Sequence, residues 1–212
     1  MDASMTFFLT AFSALFTIMN PFSAASIYLG ITRGDTRKQR FVMARKACVL
    51  SAIILICFAL IGTYILKFFG ITIPAFRIAG GILIGALGYS MMRTKRERLR
   101  PGTETEEAEE KDDVSVIPLA IPLLAGPGAM TTTIVLSSQN PGFFGVGTLL
   151  LAILVVCIIS YFVISRADTL SKHLSQTGQN IIERVMGLIV MVVGVQFIID
   201  GMSGVMTLWG LL

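Results

Sequence analysis

Apolar residues gather along the chain into six runs, roughly Met5–Leu29, Met43–Leu66, Pro74–Met92, Val116–Leu136, Phe143–Ile164 and Val185–Leu208, separated by short polar links. Each run is about 19 to 26 residues long, which suits a helix crossing hydrocarbon at 1.5 Å per residue. The pattern predicts six membrane-spanning helices. Two of the runs are interrupted, the first by Asn20-Pro21 and the fourth by Gly126-Pro127-Gly128. Proline inside a helix removes a main-chain hydrogen bond and crowds the preceding turn. Lipid offers no replacement partner, so non-helical backbone at membrane depth has to be buried in protein or line a cavity.

The two interruptions occupy matching places. A shift of about 106 residues sets Asn20-Pro21 on Gly126-Pro127, and a shift of 107 sets Arg77-Ile78-Ala79-Gly80 on Arg184-Val185-Met186-Gly187, as expected of an internal repeat. Three spans per half is an odd number, so the second half enters the membrane from the opposite side. The expected fold is all-α and polytopic. Its six transmembrane helices form two inverted three-helix repeats, residues 1–93 and 114–212, joined by an acidic cytoplasmic linker at 94–113, with helices 1 and 4 discontinuous. Inverted halves can exchange conformations, which supplies a route to alternating access.

Composition agrees with a membrane protein. The chain is 54% hydrophobic and 14% charged, with a mean hydropathy of +0.80, against about a quarter charged in soluble domains. No Lys or Arg precedes the first run, so it reads as a retained span and not a secretory signal. Every Lys and Arg except Lys67 and Arg77 falls in or beside the links after spans one, three and five. The positive-inside rule therefore puts those links in the cytoplasm and both termini outside it. This asymmetry accounts for the net charge of +4 without a nucleic-acid partner. Seven of the 13 acidic residues crowd between Glu104 and Asp113, and this link reads as a solvated tether.

The chemistry-bearing residues point away from catalysis. Cys48, Cys57 and Cys157 lie in or beside apolar runs without metal-ligand spacing, and His173 is alone in an inner loop. No phosphate-binding loop with a Lys-Ser/Thr ending is present. The expectation is no enzyme, no metal and no cofactor, with any coupling ion left open between proton and sodium.

The candidate site lies at the breaks. Pro21 leaves carbonyls near Thr17 unpaired, Asn20 can cap the following half-helix, and Thr17 and Ser23 add hydroxyls. In the fourth span, Gly126, Pro127 and Gly128 are expected to supply unusual torsions and close approach to a ligand. Thr131, Thr132 and Thr133 follow, and at least one of these hydroxyls is expected to return to the main chain. Half-helix amino ends favour a carboxylate, and freed carbonyls can receive an ammonium. Ala24, Ala25, Ala125 and Ala129 suit a small neutral side chain. The expected partners are a small neutral amino acid and membrane lipid.

Other polar groups lie near helix ends. Arg77 and Asp200 approach the outer face as a pair, as separate solvated ends or as a gate, and Arg184 holds the mirrored inner position. Gln196 is expected to bond across helices or touch substrate. Gly80, Gly81, Gly85 and Gly88 form a small-residue stripe, with Gly187 and Gly194 as counterparts in the sixth span. Such stripes serve packing within a chain or between copies, so homo-oligomerisation stays undetermined.

Asn20-Pro21, Phe76-Arg77-Ile78-Ala79-Gly80-Gly81, Pro118 to Gly128 with Pro122 between, Gln176-Thr177-Gly178 and Arg184-x-Met186-Gly187-Leu188 resemble the MarC family of bacterial inner-membrane proteins, also called UPF0056. The resemblance covers the chain outside the acidic link. It implies a multi-pass inner-membrane protein, a broad relation to LysE-like amino-acid exporters, and the small neutral amino-acid transport ascribed to an archaeal relative. Some relatives carry a proline where this chain has Ser26. An exporter or exchanger of small neutral amino acids is the first reading. The alternatives are a transporter or channel for another small solute, and a non-transporting membrane scaffold or regulator.

Overall fold

The computed structural model describes residues 3–32, 34–93, 124–169 and 176–210. The helices are α1 (Ala3–Met19), α2 (Pro21–Ile31), α3 (Arg37–Phe68), α4 (Ile73–Arg93), α5 (Pro127–Gln139), α6 (Phe143–Ser165) and α7 (Gln176–Leu208). The protein is an all-α polytopic membrane protein. Among the described residues, five helical segments are long and apolar enough to cross a membrane, α1 and α2 together forming the first. The fourth expected run, Val116–Leu136, lies partly outside the described residues. Its described part, α5, has 13 residues, about 20 Å of helix and too short to cross alone. The acidic link, Pro118, Pro122 and His173 also lie outside the described residues.

Local sequence sets the helix ends. Thr36 Oγ1 accepts from the Gln39 N–H at 3.4 Å and Gln39 Oε1 accepts from the Thr36 N–H at 2.9 Å, a reciprocal cap that starts α3 several residues before its apolar run. At the other end, Gly70 turns through φ 68. The Ile71 N–H then reaches the Leu66 carbonyl at 2.9 Å and the Gly70 N–H the Lys67 carbonyl at 3.1 Å. A Cβ would be strained at that torsion, which is why glycine closes the helix.

Helix directions follow from contacts at each end. Arg40 at the start of α3 pairs with Asp168 just after α6, and Tyr28 near the end of α2 donates to the Arg40 carbonyl. At the opposite face Gly204 of α7 packs on Pro74 of α4. Exposed aromatics gather at that same face: Phe68, Phe69, Phe143, Phe144 and Trp209. At the Arg40 face, Arg37 stacks over Phe41 and Arg93 over Tyr89. Aromatic girdles at two levels mark the two membrane–water boundaries.

Two kinds of packing divide the molecule. Leu15, Leu55, Leu149, Ile153 and Val156, all fully buried, belong to a core built mainly by α1, α2, α3, α5 and α6. α4 and α7 instead run antiparallel against each other with backbones nearly touching. A Cβ on Gly81 would lie 2.6 Å from the Gly194 carbonyl oxygen, one on Gly88 2.6 Å from that of Gly187, and one on Gly194 2.7 Å from that of Gly81. Hydrophobic exclusion contributes little between helices in lipid, so close van der Waals contact holds such a pair. The glycine stripe is thus used inside the chain. Gly85, part of the expected small-residue stripe, lends its backbone to Gly194, but nothing lies within 4 Å of its own Cβ position.

This asymmetry yields a stability test. Gly194→Leu is expected to lower stability by about 1–3 kcal/mol through overpacking, whereas Gly85→Ala should stay within about 0.5 kcal/mol. Thermal unfolding in detergent checks both, and equal losses would contradict the packing.

Candidate functional site

The first break is made by adjacent residues. Pro21 has no N–H, so the Thr17 carbonyl loses its ordinary helical donor. Asn20 turns the chain through φ 41 and ψ 73, a left-handed conformation that Asn adopts more readily than most residues bearing a Cβ. Among the described residues no other non-glycine has positive φ. The Asn20 N–H donates to the Phe16 carbonyl and its own carbonyl accepts from the Ala24 N–H, both at 3.1 Å. Its Oδ1 accepts from the Ser23 N–H at 3.3 Å and caps α2. The other end of the amide is idle: Nδ2 is buried without a partner, in a residue only 4% exposed. Ser23 Oγ is also buried and unpartnered. Phe8, Phe12 and Phe16 stack along α1, and Phe16 meets Phe22 edge-on at 6.2 Å, bracing the chain across the break.

The second break differs in kind. Gly126 sits at φ −71 and ψ 171, extended backbone that any residue can adopt, and Gly128 is helical within α5. The expectation that these glycines supply unusual torsions is corrected, and Gly128 acts by closeness instead. A Cβ there would lie 3.2 Å from Ile18 Cγ2 and 3.2 Å from Ile84 Cγ1. Ile18 precedes Asn20 by two residues, so this contact brings the two breaks together, with α4 as the third wall. Pro127 at the first position of α5 lacks an N–H, which leaves those of Gly128 and Ala129 as the first free donors of that helix.

The threonines separate by role. Thr131 presses its methyl group against Gly80 of α4, where a Cβ would collide with it. Thr133 returns its hydroxyl to the Ala129 carbonyl at 2.8 Å. Thr132 is fully buried, and its Oγ1 has no partner. Ala24, Ala25, Ala125 and Ala129 are all buried around the breaks.

The polar residues proposed for gating lie elsewhere. Gln196 bonds along its own helix, Nε2 donating to Asp200 Oδ1 at 2.7 Å on an exposed face. Arg184 is exposed and Arg77 half-buried. Two further groups escaped sequence reasoning: Arg40 Nη1 donates to Asp168 Oδ1 at 2.8 Å and Oδ2 at 3.0 Å, with Tyr28 alongside. Their one readable signal was a shared place near the basic links, since nothing local connects residues 128 apart. Among the described residues, no group of three or more His, Cys, Asp or Glu could hold a metal.

Residues 5–206 match the MarC family of integral membrane proteins. The chain belongs to the MarC family. Relatives share nearly the full length. A UPF0056 membrane protein of Methanocaldococcus jannaschii is 38% identical over 94% of this chain and 98% of its own. YvbG of Bacillus subtilis is 36% identical over 94% and 95%, and YhcE of Escherichia coli 35% over 92% and 91%. No solved structure matches. In this MarC-family chain, activity must therefore be argued from the breaks themselves.

The left-handed turn makes a prediction. Asn20→Gly keeps the torsion accessible and should cost at most about 0.5 kcal/mol, whereas Asn20→Ala loses both cap and torsion and should cost about 1–2 kcal/mol. Denaturation of the purified protein reads the difference, and the reverse order would contradict the assignment.

Proposed function

We propose that this MarC-family chain is a secondary transporter, an exporter or exchanger, that moves small neutral amino acids across the cytoplasmic membrane by alternating access. One observation carries the reading: Asn20 Nδ2, Ser23 Oγ and Thr132 Oγ1 are buried and unpartnered, at or just beyond two helix breaks that meet through Ile18 and Gly128. Buried polar atoms without partners are rare and cost free energy, so a place that gathers them suits a polar ligand. The amide and hydroxyls, with the free N–H groups opening α5, suit a carboxylate. The Thr17 carbonyl and its neighbours at the end of α1 suit an ammonium. Ile18, Ile84 and the four buried alanines present only apolar surface, which suits a small apolar side chain, and supply no fixed charge for a charged one.

Helix pairing supports two inverted repeats. α1 packs on α6 as α3 packs on α5, and α1 meets α7 as α4 meets α5. Exchanging α1 with α5, α3 with α6 and α4 with α7 preserves these pairings. On this reading the halves are 1–93 and 114–212, the acidic link joins them, and the described part of Val116–Leu136 completes a sixth crossing. The basic Arg40 face is cytoplasmic, and both termini lie outside, in the periplasm of a bacterium. A broad relation to LysE-like exporters accords with this chemistry.

Exchange by purified protein in liposomes, loaded with a mixed amino-acid pool, tests the reading. Glycine and alanine should exchange and lysine and glutamate should not, with Asn20→Ala and Gly126→Leu each lowering flux about tenfold or more. Preference for the charged pair, or unchanged flux in both variants, would contradict it.

A further inference from the structure

Arg77 has no role in the packing described so far. It lies one turn from Gly80, in the first half of α4, at the face that carries Phe68, Phe143 and Trp209. Its Nε is buried without a hydrogen-bond partner. It forms no ion pair with a described residue, and the Asp200 carboxylate accepts from Gln196 instead. A half-buried guanidinium with no carboxylate bonded to it is costly in a membrane protein and marks a functional position by default.

Helical geometry shows which way this cation faces. Gly80 contacts Thr131 and Ile84 sits against Gly128, so α4 and α5 run antiparallel with these residues in register. Arg77 and Ile84 are seven apart and share a stripe at 3.6 residues per turn, while Gly80 lies one turn along the same side. That stripe lies on the inner side of α4, between α5, met at Gly80 and Ile84, and α7, met at Gly81 and Gly88. The lipid side of α4 is instead marked by Ile82, 58% exposed, and Leu83, 53% exposed. Arg77 therefore stands about 4.5 Å along the axis from Gly80 at 1.5 Å per residue, between the aromatic face and the level of Thr131 and Thr132.

We propose that Arg77 is a specificity-determining residue at the outer mouth, receiving the carboxylate of a solute before it reaches Asn20 and Thr132. This rests on the reading of the two breaks as a site for a small amino acid. Arg77 is suited to the task because guanidinium forks pair with carboxylates through two parallel N–H donors. Its place on the path to the site makes it a selector of anionic ends, which complements a broken-helix site with no fixed charge of its own. A lipid phosphate is the competing occupant for any interfacial arginine, and the place of Arg77 on the packed side of α4, away from the exposed Ile82 and Leu83, argues against it.

Two measurements test the proposal. In lipid-free detergent, millimolar acetate should raise the melting temperature of the wild type clearly more than that of Arg77→Gln, which keeps only the site at the breaks; should Arg77→Gln not fold, Arg77→Met keeps the apolar stem and carries the same comparison. In liposomes, Arg77→Gln should raise the external KM for alanine about tenfold with kcat within about twofold, Arg77→Lys should recover most of that loss, and alaninamide, which lacks the carboxylate, should be insensitive to the substitution. Equal stabilisation of wild type and variant by acetate overturns the proposal. So does stabilisation of the wild type by phosphatidylglycerol alone, or an equal effect on alanine and alaninamide. If wild-type protein moves no amino acid yet acetate still stabilises it alone, the amino-acid reading fails while Arg77 stands as a carboxylate site.

Discussion

A main-chain amide or carbonyl stripped of its partner inside hydrocarbon costs several kcal/mol, and a regular helix avoids that cost by pairing each group four residues along. Pro21 cannot take part in that pairing, and the rest of the structure around it responds. Asn20 takes up the left-handed turn and spends its Oδ1 on capping α2. The phenylalanines of α1 brace the two half-helices across the gap. Gly128 lets α5 approach so closely that Ile18 of α1 and Ile84 of α4 both lie against it. Asn20 and Pro21 are buried in protein, and so are the unpartnered Asn20 Nδ2 and Ser23 Oγ.

The glycine-lined pair of α4 and α7 depends on the same requirement. α4 lies against α5 at Gly80 and Ile84, while its neighbouring side is gripped by α7 through Gly81 and Gly88. Small residues on two neighbouring stripes let one helix make both contacts. The pair shares only a little of the main apolar core, to which it contributes Ile84 and Val190. A tightly self-packed pair beside a separate bundle is the kind of division that lets packed elements shift as units, because such interfaces hold discrete arrangements.

Much of this was legible in the sequence because lipid makes the rules strict. The lengths of the apolar runs located five described crossings, and α4 and α6 begin or end within a residue or two of Pro74–Met92 and Phe143–Ile164. The Asn20-Pro21 break was readable because proline chemistry is local. The function of Gly128 was not, since closeness to Ile18 is a property of two distant segments. The same holds for the Arg40–Asp168 pair and for Gln196, whose partner proved to be one turn along its own helix. α3 and α7 extend well past their apolar runs because polar residues continue a helix that hydropathy alone would end, in α3 behind the Thr36 cap. The sequence likewise could not tell which threonine would be left without a partner: Thr131 packs, Thr133 bonds back, and Thr132 remains.

The central claim is that the two breaks face one ligand. A double-mutant cycle on alanine binding, with Asn20→Gly and Thr132→Val made singly and together in purified protein, tests it most directly. Shared contact with one ligand predicts a coupling energy of about 1 kcal/mol or more between the two positions. Strictly additive losses, or binding that neither substitution alters, would mean that the breaks do not form a common site.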